Sequence, residues 1–107
     1  MTKTVINNFT NAEHLWFWFV SSRRLQSGLG RKGKAESDRP CELVDIEAMI
    51  SRLYMSGKLT IKHLEVLRKY GEKRLVPNGH TERQAAAVWD EAISIIAREC
   101  RRKGWIE

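Results

Sequence analysis

The residues that could support acid–base, nucleophilic or metal chemistry are scattered along this chain. The three histidines, His14, His63 and His80, fall in different segments, and the two cysteines are Cys41 and Cys100. None of these residues has the short spacing of a zinc ligand pair, and no histidine belongs to a known nucleophile motif. We therefore expect no metal site, no cofactor and no enzymatic activity.

A second chemical pattern is the run GLGRKG at 28–33, which has the glycine content of a phosphate-binding loop. The run follows a predicted helix rather than a strand, and it lacks the Lys-Ser/Thr ending that such loops use. The carboxylate pairs Glu42 with Asp45 and Asp90 with Glu91 are interpreted as solvent-facing charges on polar helix faces. A nucleotide-binding enzyme is therefore not expected.

Positive charge is the strongest chemical signal in the sequence. Lysine and arginine number 19 against 13 acidic residues, which gives a formal net charge of +6. Such a balance favours an anionic partner, with nucleic acid before a membrane surface. The basic side chains concentrate in two runs, 23–34 and 68–74, which could contact a phosphate backbone and release its counterions.

Helical periodicity indicates which elements position these charges. Apolar residues recur at helical spacing in four segments, which we place at about 10–26, 41–56, 60–70 and 81–103. Capping boxes are predicted at the start of the first and fourth segments, in 10–13 and 81–84. Glycines at 28, 57, 71 and 104 are predicted to end the four helices. The inward positions are expected to be Leu15, Trp16, Phe19, Leu43, Ile46, Ile50, Leu53, Ile61, Leu64, Leu67, Val88, Trp89, Ala92, Ile93, Ile96 and Cys100.

These segments predict a single all-α domain over 1–107, a small four-helix fold. Residues 1–9 are interpreted as an extended N-terminal arm, and the Gly-rich segment 27–40 as a flexible basic loop. The apolar run LWFWFV at 15–20 is too short to cross a membrane and does not resemble a signal peptide. We expect a cytoplasmic protein whose Cys41 and Cys100 are free, buried thiols.

The segment 44–71 contains a helix, a tight turn at Gly57 and a second helix with polar outward positions. In this arrangement it resembles helix-turn-helix DNA-binding proteins. It departs from their usual pattern at Leu53, where a small residue is common, and at Lys58, where an apolar residue is common. The resemblance implies that duplex DNA is the partner and that the second helix makes groove and phosphate contacts. The residues it implicates are Lys58, Thr60, Lys62, His63, Arg68, Lys69, Lys73 and Arg74.

Two functions remain open from the sequence. The first is a small DNA-binding, transcription-linked protein of prokaryotic or phage type, in which Arg23, Arg24, Arg31, Lys32 and Lys34 add phosphate contacts. The alternative is a non-enzymatic protein-interaction module, such as an adaptor, inhibitor or subunit. Its docking surface would be the aromatic first helix, with Trp16, Phe17 and Trp18 as the interface residues. The two are compatible if the aromatic helix forms a homodimer that spans two half-sites.

Overall fold

Four α-helices form the framework of the protein, as the sequence predicts. The structure is a computed structural model, and it describes residues 8–29 and 40–106. The helices are α1 (Ala12–Leu29), α2 (Leu43–Met55), α3 (Ile61–Lys73) and α4 (Arg83–Lys103). Within the described residues the only strand-like pairing is an isolated parallel bridge between Phe9 and Ile106. The all-α fold class is therefore confirmed.

The two chain ends described meet beside the last turn of α4. The amide of Phe9 donates to the carbonyl of Trp105 at 3.0 Å, and the side-chain amide of Asn8 donates to the carbonyl of Gly104 at 3.1 Å. Phe9 and Ile106 are both buried. The end of the predicted arm is therefore part of the core, while residues 1–7 lie outside the described part of the chain.

The first turn of α1 differs from the predicted capping box at Thr10 and Glu13. Asn11 caps the helix, because its side-chain oxygen accepts the amide of His14 at 2.9 Å. Glu13 is not available for capping, since its carboxylate accepts the indole N–H of Trp89 at 2.9 Å. The box prediction was wrong because a buried tryptophan of α4 requires a partner for its N–H.

Three other predicted boundaries also move. Helix α1 continues past Gly28 to Leu29, so residues 27–29 of the predicted loop are helical, and residues 30–39 lie outside the described residues. Helix α3 continues past Gly71 and ends at Lys73, and Arg74 caps it in a left-handed conformation with φ 59°. Helix α4 starts at Arg83, and no side chain caps its start. The predicted box at 81–84 was therefore wrong. Gly57 and Gly104 adopt positive φ after α2 and α4, as predicted.

The core is built from one face of each helix and from the two chain ends. Helix α3 packs mainly on α4 and α1, whereas α2 packs mainly on α1 and makes lighter contacts elsewhere. The fully or nearly fully buried side chains include Leu15, Trp16, Phe19, Ile46, Met49, Leu53, Leu67, Tyr70, Trp89, Ala92, Ile96 and Cys100. Ile61 was expected to face inward, but it is exposed because it occupies the first turn of α3, beyond the packed face.

Gly71 permits the close approach of α3 and α1. A β-carbon added at this position would lie 2.8 Å from the indole Nε1 of Trp16 and 2.9 Å from Cγ2 of Val20. The same Nε1 donates to the carbonyl of Leu67 at 2.8 Å, one turn before Gly71. The glycine that was expected to end α3 therefore serves helix packing within it.

Cys41 and Cys100 are both buried, as predicted, and Cys100 is a free thiol. Burial raises the pKa of the Cys100 thiol to about 12, so the group stays protonated at neutral pH. In the described part of the chain, no helix combines the length and apolar character needed to cross a bilayer.

Candidate nucleic-acid interface

A basic groove lies between the end of α2, the turn that follows it and the last turns of α4. Its volume is about 460 Å³. Met49 and Leu53 contribute its apolar part. Its polar lining consists of Arg52, Ser56, Lys58, Glu99, Arg102 and Lys103. Four cationic side chains from three segments of the sequence therefore border one depression, together with one carboxylate.

The single carboxylate of the groove is already engaged by one of its cations. Arg102 donates to Glu99 within one turn of α4. This hydrogen bond is the main reason that the pKa of Glu99 lies below its usual value, and the positive charges of Lys103 and Lys58 act in the same direction. Arg52, Lys58 and Lys103 form no ion pair with any described residue. The groove therefore retains a clear excess of positive charge.

Local backbone structure fixes where these cations stand. Gly57 adopts φ 83°, which lets the amides of Lys58 and Leu59 both donate to the carbonyl of Leu53, at 2.9 and 3.1 Å. Leu59 is buried and anchors the turn. Arg102 and Lys103 occupy the last turn of α4, where the partial negative charge of the helix end favours cations.

A second basic surface runs along the outer side of α3. Lys62, Lys69 and Lys73 are exposed and share one face of the helix, because they are spaced at i, i+7 and i+11. The ammonium groups of Lys69 and Lys73 lie 5.5 and 5.3 Å from the centre of the Tyr70 ring. This spacing allows cation–π attraction that holds both lysines close to the ring. Arg68 and Arg74 are also exposed, on α3 and at its end.

Three acidic residues adjoin the α3 surface: Glu65 and Glu72 are exposed on the same helix, and Glu82 precedes α4. The Tyr70 hydroxyl donates to Glu82 at 2.6 Å, and the amide of Asn78 donates to the same carboxylate at 2.8 Å. The pKa of Glu82 lies below its usual value. The hydrogen bond from Tyr70 is the largest cause, and the hydrogen bond from Asn78 is the second. The charges of Lys73 and Lys69 lower it further. The same hydrogen bond raises the pKa of Tyr70. Glu82 is therefore negatively charged and partly offsets these lysines.

Two residues predicted to contact DNA instead cap α3. The Thr60 hydroxyl accepts the amide of His63 at 3.4 Å, and the Thr60 amide donates to Nδ1 of His63 at 3.0 Å. A backbone N–H can only donate, so Nδ1 is the acceptor and the ring proton lies on Nε2. There it donates to Glu91 of α4 at 3.0 Å. Only 12% of the His63 side chain is exposed. Because both ring nitrogens are used within the fold, the structure gives the predicted groove contact of His63 no support, and it stays a prediction.

Of the basic side chains in the run 23–34, the structure describes only the first, that of Arg23. Arg23 forms an ion pair with Glu47 of α2 and lies 5.8 Å from the ring centre of Phe19. The side chain of Arg24 lies outside the described part of the structure. So do the residues Arg31, Lys32 and Lys34. Arg23 thus ties α1 to α2, and the predicted phosphate contacts of the other four stay predictions.

The aromatic side chains of α1 are largely used inside the molecule. Trp16 is only 6% exposed, so the structure gives its predicted role as an interface residue no support. Phe17 stacks on Trp89 with ring centres 5.7 Å apart, and the Trp18 ring lies 5.2 Å from that of Phe9. Phe17 and Trp18 keep some exposure, so their interface role stays a prediction.

Helices α2 and α3 are the pair that the sequence places in a helix-turn-helix unit. A five-residue connection, 56–60, joins them. In a helix-turn-helix unit the two helices form one compact pair. Here each packs mainly on other helices, and the contact between them is slight. This packing gives the resemblance no support, and the helix-turn-helix prediction stays a prediction.

Sequence reasoning missed three of the four cations of the groove, Arg52, Arg102 and Lys103. They lie on the polar faces of α2 and α4, and nothing in their local spacing indicates that the two helix ends meet. The cluster Arg101–Lys103 is visible in the sequence, but the favourable interaction of cations with a helix C-terminus is enough to explain it. In the described residues no three metal-ligating side chains come together. In comparisons with known proteins, the chain matches no family model, no curated protein and no solved structure.

Proposed function

We propose that this protein binds nucleic acid, with duplex DNA as the partner, through phosphate contacts centred on the basic groove. The observation that carries the proposal is the composition of that groove. Four cations border it, and its one carboxylate is bound to Arg102. Cations in such a surface displace the counterions of a phosphate backbone, which is the main source of affinity in sequence-independent binding.

The proposal concerns the phosphate backbone and not the base edges. Lysine and arginine contacts to phosphate fix the position of a protein on the duplex, whereas sequence is read by side chains in the grooves of DNA. Thr60 and His63, two of the predicted groove-reading residues, are engaged in the cap of α3. The lysines of α3, Lys62, Lys69 and Lys73, supply further phosphate contacts. The predicted role in transcription would follow from such binding and stays a prediction.

The test compares charge removal at the groove with the same change elsewhere on α4. Lys58→Ala and Lys103→Ala each remove one groove cation. Arg83→Ala removes an exposed cation at the opposite end of α4, twenty residues away, which corresponds to about 30 Å of helix. Binding of a fluorescent duplex is followed by anisotropy at about 50 mM salt, where phosphate contacts are strong.

Each groove variant is expected to weaken binding roughly two- to fivefold, the contribution of one exposed ion pair. Arg83→Ala is expected to bind as the wild type does. Equal losses in all three variants would indicate diffuse attraction to a basic protein and would contradict the groove proposal. Absence of wild-type binding at this salt would contradict nucleic-acid binding altogether.

A further inference from the structure

The outer face of α2 is unusual for a surface helix. Val44, Ala48, Ser51 and Met55 are all exposed, with 62% of Val44 and 82% of Met55 accessible. The opposite face carries Ile46, Met49 and Leu53, which enter the core. A helix on the surface of a soluble protein usually places charged residues opposite its core face. This stripe of α2 contains none.

The stripe has the spacing of a coiled-coil seam. Its members are separated by four, three and four residues, as the a and d positions of a heptad are. The larger side chains, Val44 and Met55, stand at its ends, and the small Ala48 and Ser51 stand in the middle. Small residues at the centre allow a second helix to approach closely, and the end residues then pack over each other.

The charges beside the stripe indicate which helix fits there. Asp45 and Arg52 are exposed and lie on the same side of the stripe, seven residues apart. In an antiparallel pair of α2 helices, Val44 lies opposite Met55 of the second copy, and Ala48 lies opposite Ser51. Asp45 of each copy then lies on the same side of the seam as Arg52 of the other, offset by two residues or about 3 Å along the axis. In a parallel pair, Asp45 of one copy and Arg52 of the other would lie on opposite sides of the seam. Arg52 would then face Glu47, which already pairs with Arg23.

From this self-complementarity we infer that the outer face of α2 binds a second copy of this chain, as an antiparallel, two-fold symmetric helix pair. Both copies use the same surface, as an isologous interface requires. Thirteen residues of helix extend about 20 Å, so the contact is at the small end of specific interfaces. The dimer is therefore a concentration-dependent one.

The first experiment places a charge in the seam. Sedimentation velocity of the wild-type chain, over a concentration series without nucleic acid, is expected to show a monomer–dimer equilibrium. Met55→Glu is expected to raise the dimer dissociation constant about tenfold or more, because a carboxylate would be buried without a partner. Leu75→Glu is the matched control, since Leu75 is 61% exposed but lies outside α2. A wild type that stays monomeric, or equal effects of both variants, would overturn the inference.

The second experiment uses charge reversal and tests the orientation. Asp45→Lys alone and Arg52→Glu alone each place like charges at both ends of the helix pair, so each variant is expected to dimerise less than the wild type. A mixture of the two variants restores both opposite-charge contacts in the heterodimer. We therefore expect the mixture to associate more strongly than either variant alone. A mixture that associates no better would overturn the antiparallel arrangement.

Both variants must keep their helices for this comparison. The Asp45 carboxylate also accepts the amide of Glu42 at 2.8 Å, so circular dichroism is recorded for each variant. If Asp45→Lys loses helix content, dimer formation is tested by Arg52→Glu and by the comparison of Met55→Glu with Leu75→Glu. These measurements contain no DNA, so they are independent of the nucleic-acid proposal.

Discussion

At the scale of single residues, Gly71 shows how a side chain that is absent determines packing. Its hydrogen atom faces the edge of the Trp16 indole, and that indole holds the carbonyl of Leu67 in the same helix. From the sequence, a glycine near the end of a helical pattern indicates a helix stop. The alternative, close approach of a second helix, depends on which residue of α1 lies opposite, and local spacing does not contain that information.

We predict that Gly71→Ala destabilises the protein, although alanine favours helix by about 1 kcal/mol. The added methyl group would force the Trp16 indole or Val20 to move, and overpacking of this kind costs about 1–3 kcal/mol. Loss of the bond from Trp16 to Leu67 would add to this cost. The net loss, measured by urea denaturation, is expected to be roughly 1–2 kcal/mol.

The matched control is Gly79→Ala. A β-carbon at Gly79 meets nothing within 4 Å, and this glycine has no positive φ. Its free energy of unfolding is expected to change by less than about 0.5 kcal/mol. If Gly71→Ala were as stable as this control, the close approach of α1 and α3 would be incorrect.

The bond between Tyr70 and Glu82 makes part of the stability depend on pH. The pKa of Glu82 in the folded protein lies below its usual 4.5, chiefly because it accepts the Tyr70 hydroxyl. A group with a lowered folded pKa stabilises the fold fully above its unfolded pKa, and this contribution is lost as the pH falls through the folded value. We predict that Tyr70→Phe is less stable than the wild type at pH 7, and that the difference shrinks below pH 4.5. Chemical denaturation at pH 7 and pH 3 checks this, and an unchanged difference would contradict it.

At the scale of helices, the sequence predicts the number, order and core faces of the elements better than their ends. Periodicity of apolar residues places all four helices, because burial of one face is a property of the whole segment. The caps were harder to predict, because they depend on which polar side chains are taken by distant partners. The Glu13 carboxylate accepts the indole N–H of Trp89 instead of capping α1, and the Glu82 carboxylate accepts the Tyr70 hydroxyl. Histidines take part in two helix starts instead, with Nδ1 of His14 and of His63 each accepting a backbone amide.

The cap of α3 gives a prediction that separates structure from binding. Thr60→Ala removes the hydroxyl that accepts the His63 amide, so we expect the free energy of unfolding to fall by about 1 kcal/mol. The affinity for duplex DNA is expected to be unchanged at temperatures where the variant is folded. Thermal denaturation and anisotropy measure the two quantities. A Thr60→Ala variant with wild-type stability and weaker DNA binding would contradict this prediction and would indicate that Thr60 contacts DNA.

At the scale of the whole molecule, tertiary structure brings together the four cations that line the basic groove. Lys58 was predicted from its place in the turn, and it does line the groove. Arg52, Arg102 and Lys103 join it only because the end of α2 and the end of α4 come together. Along the sequence, Lys58 and Arg102 are 44 positions apart. A predicted basic face on α3 is also present, in Lys62, Lys69 and Lys73. The net charge thus favours an anionic partner, and only the packing of the helices indicates which cations lie together.

The most direct measurement of the central claim is the salt dependence of duplex binding by the double variant Lys58→Ala/Lys103→Ala. The logarithm of the binding constant is plotted against the logarithm of salt concentration between about 50 and 200 mM. Each lost phosphate contact lowers the magnitude of the slope by about 0.9, so a reduction of about 2 is predicted, while Arg83→Ala keeps the wild-type slope. A double variant whose slope equals that of the wild type would contradict the assignment of the groove as the phosphate-binding surface.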